Sequence, residues 1–186
     1  MSQVKVTGNA SGTGTLTIAA PNTNSDYTLT LPTNTGTILT SATTTGFPAG
    51  SVLQVVQGTY ATETSTTSTS YVTTNLTASI TPTSSSSKIL ILVEIIADHR
   101  NKTADTGGDF TIYRGASTDL LTRGGDTHYD NGGLNNSNYA GMNYLDSPAT
   151  TSSTSYTVYM KSRGTTQMVA HHNNSTGTMI LMEIAA

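Results

Sequence analysis

The chain has 186 residues, only 10% of them charged, with a formal net charge of −3 and no cysteine. This length suffices for one compact domain with an extension, and the scarcity of Lys and Arg argues against nucleic-acid binding because no basic stripe faces phosphates. Disulfides and thiolate metal sites are excluded, and no apolar run predicts a signal segment or membrane insertion, so we expect synthesis in the cytoplasm.

The first 45 residues predict an extended β segment. Residues 15–18 and 27–31 alternate apolar side chains with Thr. This period of two is typical of a strand with one solvent-exposed face. These strands have too few apolar residues to bury a core alone. We expect them to need a partner, either identical chains wrapped around a common axis or a groove on another protein. The candidate docking residues here are Leu16, Ile18, Tyr27, Leu29 and Leu31.

A hinge-like stretch at residues 40–50 marks the predicted boundary between an attachment segment, 1–45, and a head, 46–186. Strand-like segments then recur about every ten residues with turn formers between them, and helical periodicity is almost absent. This pattern is typical of an all-β sandwich, jelly-roll-like in arrangement. The predicted strands are residues 51–60, 71–80, 88–98, 109–114, 139–145, 155–163, 166–171 and 178–184.

Two predicted strands, within residues 89–97 and 179–185, are apolar at nearly every position. Both of their faces need covering, whereas a two-layer sandwich covers only one. A subunit interface supplies the second layer, so we expect a homo-oligomer. The alternative is a central strand that long loops of the same chain bury. The candidate interface residues are Ile89, Ile91, Val93, Ile180 and Met182.

No catalytic arrangement stands out, because Ser is so abundant that a Ser/His/Asp set is uninformative and no Gly-x-Ser-x-Gly motif occurs. We interpret the four histidines as surface loop residues: His99, His128, His171 and His172. Five carboxylates in one loop-rich region leave a polysaccharide-degrading site as a weaker hypothesis: Asp105, Asp109, Asp119, Asp126 and Asp130. We therefore expect no catalytic residue, metal or cofactor.

Residues 126–144 are the best candidate for binding. They combine tyrosines with Asn and Asp, and aromatic faces and amides are suited to gripping sugars or protein surfaces. A solvated loop and edge strand that pack against a neighbouring subunit explain the segment equally well. The candidate receptor-binding residues are His128, Tyr129, Asp130, Asn131, Asn135, Asn136, Tyr139, Asn143 and Tyr144.

Four segments carry a resemblance to a known group of proteins. Residues 12–40 read GTGTLTIAAPNTNSDYTLTLPTNTGTILT and resemble the shaft or attachment segment of tail-fibre-like proteins from tailed bacteriophages, especially marine ones. The head resembles the C-terminal domain of such fibre proteins through PAGSVLQVVQ at 48–57, ITPTSSSSKILI at 80–91 and LDSPATTSSTSYTV at 145–158. The resemblance implies an intertwined homotrimer with a β-sandwich head.

These fibres usually have a longer shaft and a dedicated anchor domain, so the short N-terminal segment favours a short fibre, a head spike or a capsid decoration protein. We expect a non-enzymatic protein of the virion surface, attached to a phage capsid or tail protein by its N-terminal segment. Its head then binds a host surface glycan or protein. The alternative is a capsid decoration (cement) protein that stabilises the phage head.

Overall fold

The computed structural model describes residues 47–100, 107–121, 136–164 and 167–186, with scattered positions between residues 8 and 28. The chain divides into two compact units, Met1–Ile38 and Leu39–Ala186. The predicted boundary at residue 45 and most of the predicted N-terminal strands lie outside the described residues. So do five docking candidates: Leu16, Ile18, Tyr27, Leu29 and Leu31.

The described part of the second unit is built from β-strands, which confirms the predicted all-β class. Its one helical element is a short 3₁₀ helix, His172–Asn174. The strands are β1 (Val52–Tyr60), β2 (Thr64–Thr66), β3 (Val72–Ile80), β4 (Lys88–Arg100), β5 (Gly108–Arg114), β6 (Thr118–Asp119), β7 (Asn136–Asp146), β8 (Thr154–Ser162), β9 (Gln167–Ala170) and β10 (Gly177–Ile184).

The described strands form two antiparallel sheets. The first has the order β1-β10-β4-β9-β2, with β7 paired to β4. Because β4 pairs with β7 over most of its length, β10 and β9 follow one another along its opposite side. The second sheet has the order β3-β8-β5-β6.

The core lies between the inward faces of the two sheets, as in a β-sandwich. Strand β3 shows why: from Thr74 onward its even-numbered residues are buried, and its odd-numbered Thr, Asn and Ser residues are exposed. This period of two places Leu76 in one core with Phe110 and Val158 from the second sheet, and with Ile91 and Leu181 from the first. Burial of these apolar side chains is the main stabilising contribution.

The structure corrects three of the predicted interface residues. Ile89, Ile91 and Val93 are buried between the two sheets of the same chain, at 5% exposure or less, so they cannot contact another chain in this fold. The reason is the strand period, which turns their neighbours Leu90 and Leu92 outward instead. Ile180 and Met182 belong to the partly exposed, outward set of β10.

A buried carboxylate fastens the segment between β3 and β4 to the first sheet. Glu183 accepts hydrogen bonds from Gln54 Nε2 at 2.6 Å and from the backbone N and Oγ1 of Thr83, both at 2.7 Å. Burial alone would raise the pKa of Glu183. The hydrogen bonds from Gln54, Ser87 and Thr83 together outweigh burial, so this pKa lies below its usual value and the group stays ionised at neutral pH.

Candidate functional site

The outward face of the first sheet is apolar at one end. Paired residues of antiparallel strands point to the same side, so the strand registers define rows of side chains across this face. One row crosses four strands and consists of Val55, Met182, Leu90 and Leu145. The adjacent rows add Val52, Ile184, Leu92 and Ile180. We call these eight residues the aliphatic face.

Much of the aliphatic face is open to solvent. Val55 and Val52 are 58% and 53% exposed, Leu145 is 50% exposed, and the other members are partly exposed. The central row spans four strands, about 14 Å, and each neighbouring row, about 7 Å away, adds two apolar side chains, so the face covers roughly two hundred Å². An apolar patch of this size on a soluble protein is often an interaction site.

A hollow of about 480 Å³ opens at the edge of the aliphatic face. Its lining includes Leu92, Ile180, Glu94 and Gly141. A Cβ atom at Gly141 would meet no atom nearer than the Val93 carbonyl oxygen at 4.0 Å, so the missing side chain leaves this space empty. Glu94 is exposed, and it marks where the apolar rows give way to a polar surface.

The outward face of the second sheet carries three partly exposed tyrosines. The rings of Tyr113 on β5 and Tyr159 on β8 pack edge to face, with centroids 4.4 Å apart. Tyr71, just before β3, packs against Tyr113 at 6.1 Å. Lys161 Nζ lies 4.6 Å from the centre of the Tyr71 ring. The pKa of Tyr113 is raised, mainly by burial and further by the nearby Asp119 and Tyr159, so its hydroxyl stays protonated. We call Tyr71, Tyr113 and Tyr159 the tyrosine cluster.

Four charged side chains border the tyrosine cluster, two of each sign. Asp109 accepts hydrogen bonds from Arg163, one of them from Nε at 2.9 Å, and lies 3.8 Å from Lys161 Nζ. Asp119 accepts a hydrogen bond from Thr111 Oγ1. The formal charges of Lys161, Arg163, Asp109 and Asp119 add to zero, so this surface is polar without favouring a ligand of either sign.

Hydroxyl side chains occupy the rest of this face on β3 and β8. The Oγ1 atoms of Thr77 and Thr157 lie 2.9 Å apart in a hydrogen bond across the two strands. The strand registers place five hydroxyl residues on this side: Thr73, Thr77, Ser79, Ser155 and Thr157. The described outward positions of β3 and β8 therefore hold no aliphatic residue.

One end of the sandwich holds an ion-paired cluster around Arg100. Its guanidinium donates hydrogen bonds to Glu63 at 2.8 and 3.0 Å and to Asp98 at 3.0 Å, and it lies 3.0 Å from His172 Nδ1. The bonds from Arg100 are the main cause that lowers the pKa of Glu63. These charges satisfy one another, which indicates that the cluster stabilises the fold between β4 and the segment before β2.

The structure separates the predicted receptor-binding residues. Tyr139 is 72% exposed and lies with Asn143 on the outward side of β7. Tyr144 is partly buried and packs against the core on the inward side of β7, opposite to Tyr139 and Asn143. Asn136 is the first residue of β7. The other five lie outside the part of the chain that the structure describes: His128, Tyr129, Asp130, Asn131 and Asn135.

The predicted loop positions of several titratable residues also need correction. His99 on β4 and His171 next to β9 are buried, so they are not surface histidines. Asp109 and Asp119 lie on strands, while Asp105, Asp126 and Asp130 lie outside the described residues. Within the described ranges, no three His, Asp or Glu side chains are arranged to hold a metal ion, and no helix could cross a membrane.

No family model and no curated protein matches this chain. The two outward faces therefore provide the evidence on function. Sequence reasoning missed the tyrosine cluster, although one signal was present: Tyr71, Tyr113 and Tyr159 each stand beside an apolar residue of a predicted strand, so each falls on its strand's outward side.

Proposed function

We propose that this chain is a structural subunit of a bacteriophage surface fibre or spike and assembles as a homotrimer through the aliphatic face. The main support for this proposal is that eight outward apolar residues form a continuous patch, which the described elements leave open to solvent. Covering such a patch is favourable by roughly 25 cal/mol for each Å² of apolar surface removed from water.

A second copy of the chain suits this face better than a charged partner. The eight residues are apolar, and the one charged side chain in their rows, Lys88 beside Ile184, is exposed at the margin of the face, so identical apolar patches can meet around a rotation axis. The adjoining strand β7 supports the same conclusion. It has eleven residues without Lys or Pro, and among the described strands it pairs with β4 alone. Such an edge is open to pairing with another chain.

The resemblance of the sequence to phage fibre proteins supplies the number of subunits and the location on the virion. In this proposal, the N-terminal segment docks on a phage capsid or tail protein, and the jelly-roll-like head contacts the host surface. Three heads on one fibre would bind with avidity, so weak individual contacts can hold the particle. The role is structural and non-enzymatic.

Light scattering of the full chain at micromolar concentration tests the assembly. The expected mass is about three times 19.3 kDa, and a stable monomer would overturn the proposed trimer. Phage particles that lack the protein test the role on the virion. We expect them to keep their heat resistance but to lose adsorption to the host.

A capsid decoration protein is the second candidate, because an aliphatic face also fits the surface of a capsid subunit. The same particles distinguish the two functions. Particles that adsorb normally but burst more easily on heating would favour decoration and contradict the fibre.

A further inference from the structure

We infer that the tyrosine cluster is a binding site for an uncharged saccharide. This inference rests on the proposed host-binding role and gives it a location and a ligand class. It places host recognition on the outward face of the second sheet, away from β7, where the candidates Tyr139 and Asn143 lie.

The rings are arranged as a preformed surface. Tyr113 packs edge to face against Tyr159, with an angle of 78°, and against Tyr71, with an angle of 82°. Mutual packing restricts the rotamers of the three rings, so little ordering is needed when a ligand binds. All three remain partly exposed. The C–H face of a sugar ring is attracted to such rings because aromatic faces carry partial negative charge.

Polar groups for the sugar hydroxyls stand beside the rings. A carboxylate offers about four acceptor positions, and Asp119 accepts hydrogen bonds from Thr111 Oγ1 and from the Leu121 backbone N through the same oxygen, Oδ1, so its acceptor capacity exceeds these two bonds. Lys161, 4.6 Å from the centre of the Tyr71 ring, offers a donor. Hydrogen bonds that involve a charged group are the stronger kind, which suits recognition of hydroxyls that compete with water.

The charge balance decides between an uncharged and an anionic saccharide. Asp109 lies between the cations Lys161 and Arg163 and is bonded to the latter. With Asp119 included, the four charges cancel. An anionic sugar would meet two carboxylates here and gain no net attraction, whereas an uncharged sugar uses both signs as hydrogen-bonding partners.

Saturation-transfer NMR with the full chain tests the site. The probes are maltohexaose, cellohexaose, mannohexaose and N-acetylchitohexaose, each at millimolar concentration, with oligogalacturonate as the anionic probe. We expect at least one uncharged probe to receive saturation from the chain through its ring C–H protons. The absence of binding by all four, or tighter binding of oligogalacturonate, would overturn the inference.

Variants then locate the binding. Tyr71→Ala is the first choice, since Tyr71 lies just outside β3 and its loss disturbs the sheet least. We expect it and Tyr159→Ala to weaken binding at least tenfold. Tyr159→Phe keeps the ring and should retain most of the affinity. If Tyr159→Ala fails to fold, Tyr71→Ala and Tyr159→Phe still test the site. Ser79→Ala, on the same face beyond the cluster, is the control and should bind as the native chain does.

Tyr139→Ala examines the competing location on β7. A loss of binding in this variant with none in Tyr71→Ala would overturn the inference. The oligomer mass separates this inference from the proposed assembly. A trimer that binds no uncharged probe refutes the saccharide site alone. A monomer that binds through the tyrosine cluster supports the site and refutes the trimer.

Discussion

The outward faces of the two sheets differ although their inward faces form one core. In the first sheet, Leu90 and Met182 follow the strand period outward and are apolar. In the second, Thr77 and Thr157 hold the equivalent outward positions. The difference teaches that the fold does not set the character of these faces. The inward residues specify the sandwich, and the outward residues are left to determine what each face contacts.

The largest expected effect is on the mass of the assembly, when a charged residue is placed in the aliphatic face. Met182→Lys places a charge in the central row of the aliphatic face, between Val55 and Leu90. A charge inside an apolar interface must lose its hydration without a partner, so the proposed trimer should dissociate to 19.3 kDa subunits. Light scattering measures the change.

Ser79→Lys is the matched control, because it adds the same charge to the exposed face of β3. Its mass should equal that of the native chain. Equal masses for both variants and the native chain would contradict an interface at the aliphatic face.

The second prediction separates the inward and outward faces of a single strand. Ile91 is fully buried whereas Leu92, the next residue of β4, is 36% exposed. Ile91→Ala should lower the free energy of unfolding by about 2–5 kcal/mol, since it leaves a cavity in the core. Leu92→Ala should lower it by about 1 kcal/mol or less.

Urea denaturation in the Met182→Lys background gives these values for a single chain, because subunit association would otherwise add to the stability. A loss for Leu92→Ala as large as that for Ile91→Ala would show that the outward face is covered within the chain.

The third prediction concerns how the free energy of unfolding depends on pH, which reports on the shared core and leaves both outward faces unaltered. His171 is fully buried and its ring packs 5.2 Å from that of Tyr60. Burial lowers the pKa of His171 below its usual 6.5, against smaller opposing contributions from Thr74 and Ser175. The unfolded chain therefore binds a proton at this residue more readily than the folded chain does.

The free energy of unfolding should consequently be at its full value above about pH 6.5 and fall as the pH drops toward the folded pKa, by at most about 1.4 kcal/mol per pH unit. His171→Asn should flatten this slope, and Asn tolerates the positive φ of 59° at this position. Glu183 and Glu63, whose pKa values are also lowered, add their own loss of stability as the pH approaches their usual value of 4.5, so the slopes are compared between about pH 6.5 and 5.5. An unchanged slope in the variant would assign the pH dependence to another group.

Much of the fold could be predicted from alternation and turn formers. Each of the eight strands predicted for the head coincides with an observed strand to within a few residues. Strands β2 and β6 escaped prediction because three and two residues are too short to show a period. The sheet order was not predictable, since the position of β4 between β10 and β7 depends on pairings between distant parts of the chain.

The candidate surfaces were harder to predict for the same physical reason. Strand β4 is apolar on both faces, so alternation alone could not tell whether Ile91 or Leu92 points inward, and the interface candidates predicted on β4 belong to its inward set. The tyrosine cluster joins Tyr71, Tyr113 and Tyr159, which are far apart in sequence. Only the pairing of β8 with β3 and β5 brings them together.

The smallest expected change in the free energy of unfolding is at a glycine beside the aliphatic face. Gly141→Ala places its methyl group in the hollow, 4.0 Å from the nearest atom, so the free energy of unfolding should change by about 0.5 kcal/mol or less.

Gly58, on the inward side of β1, is the contrast. A Cβ there would overlap the carbonyl oxygen of Thr77 and approach the Ala78 Cβ to 2.9 Å. Because the backbone of β3 cannot move aside easily, Gly58→Ala should cost about 1–3 kcal/mol. Urea denaturation of both variants in the monomeric background measures how differently packed the two sides of the first sheet are, and equal losses would show that the hollow beside Glu94 is filled within the chain.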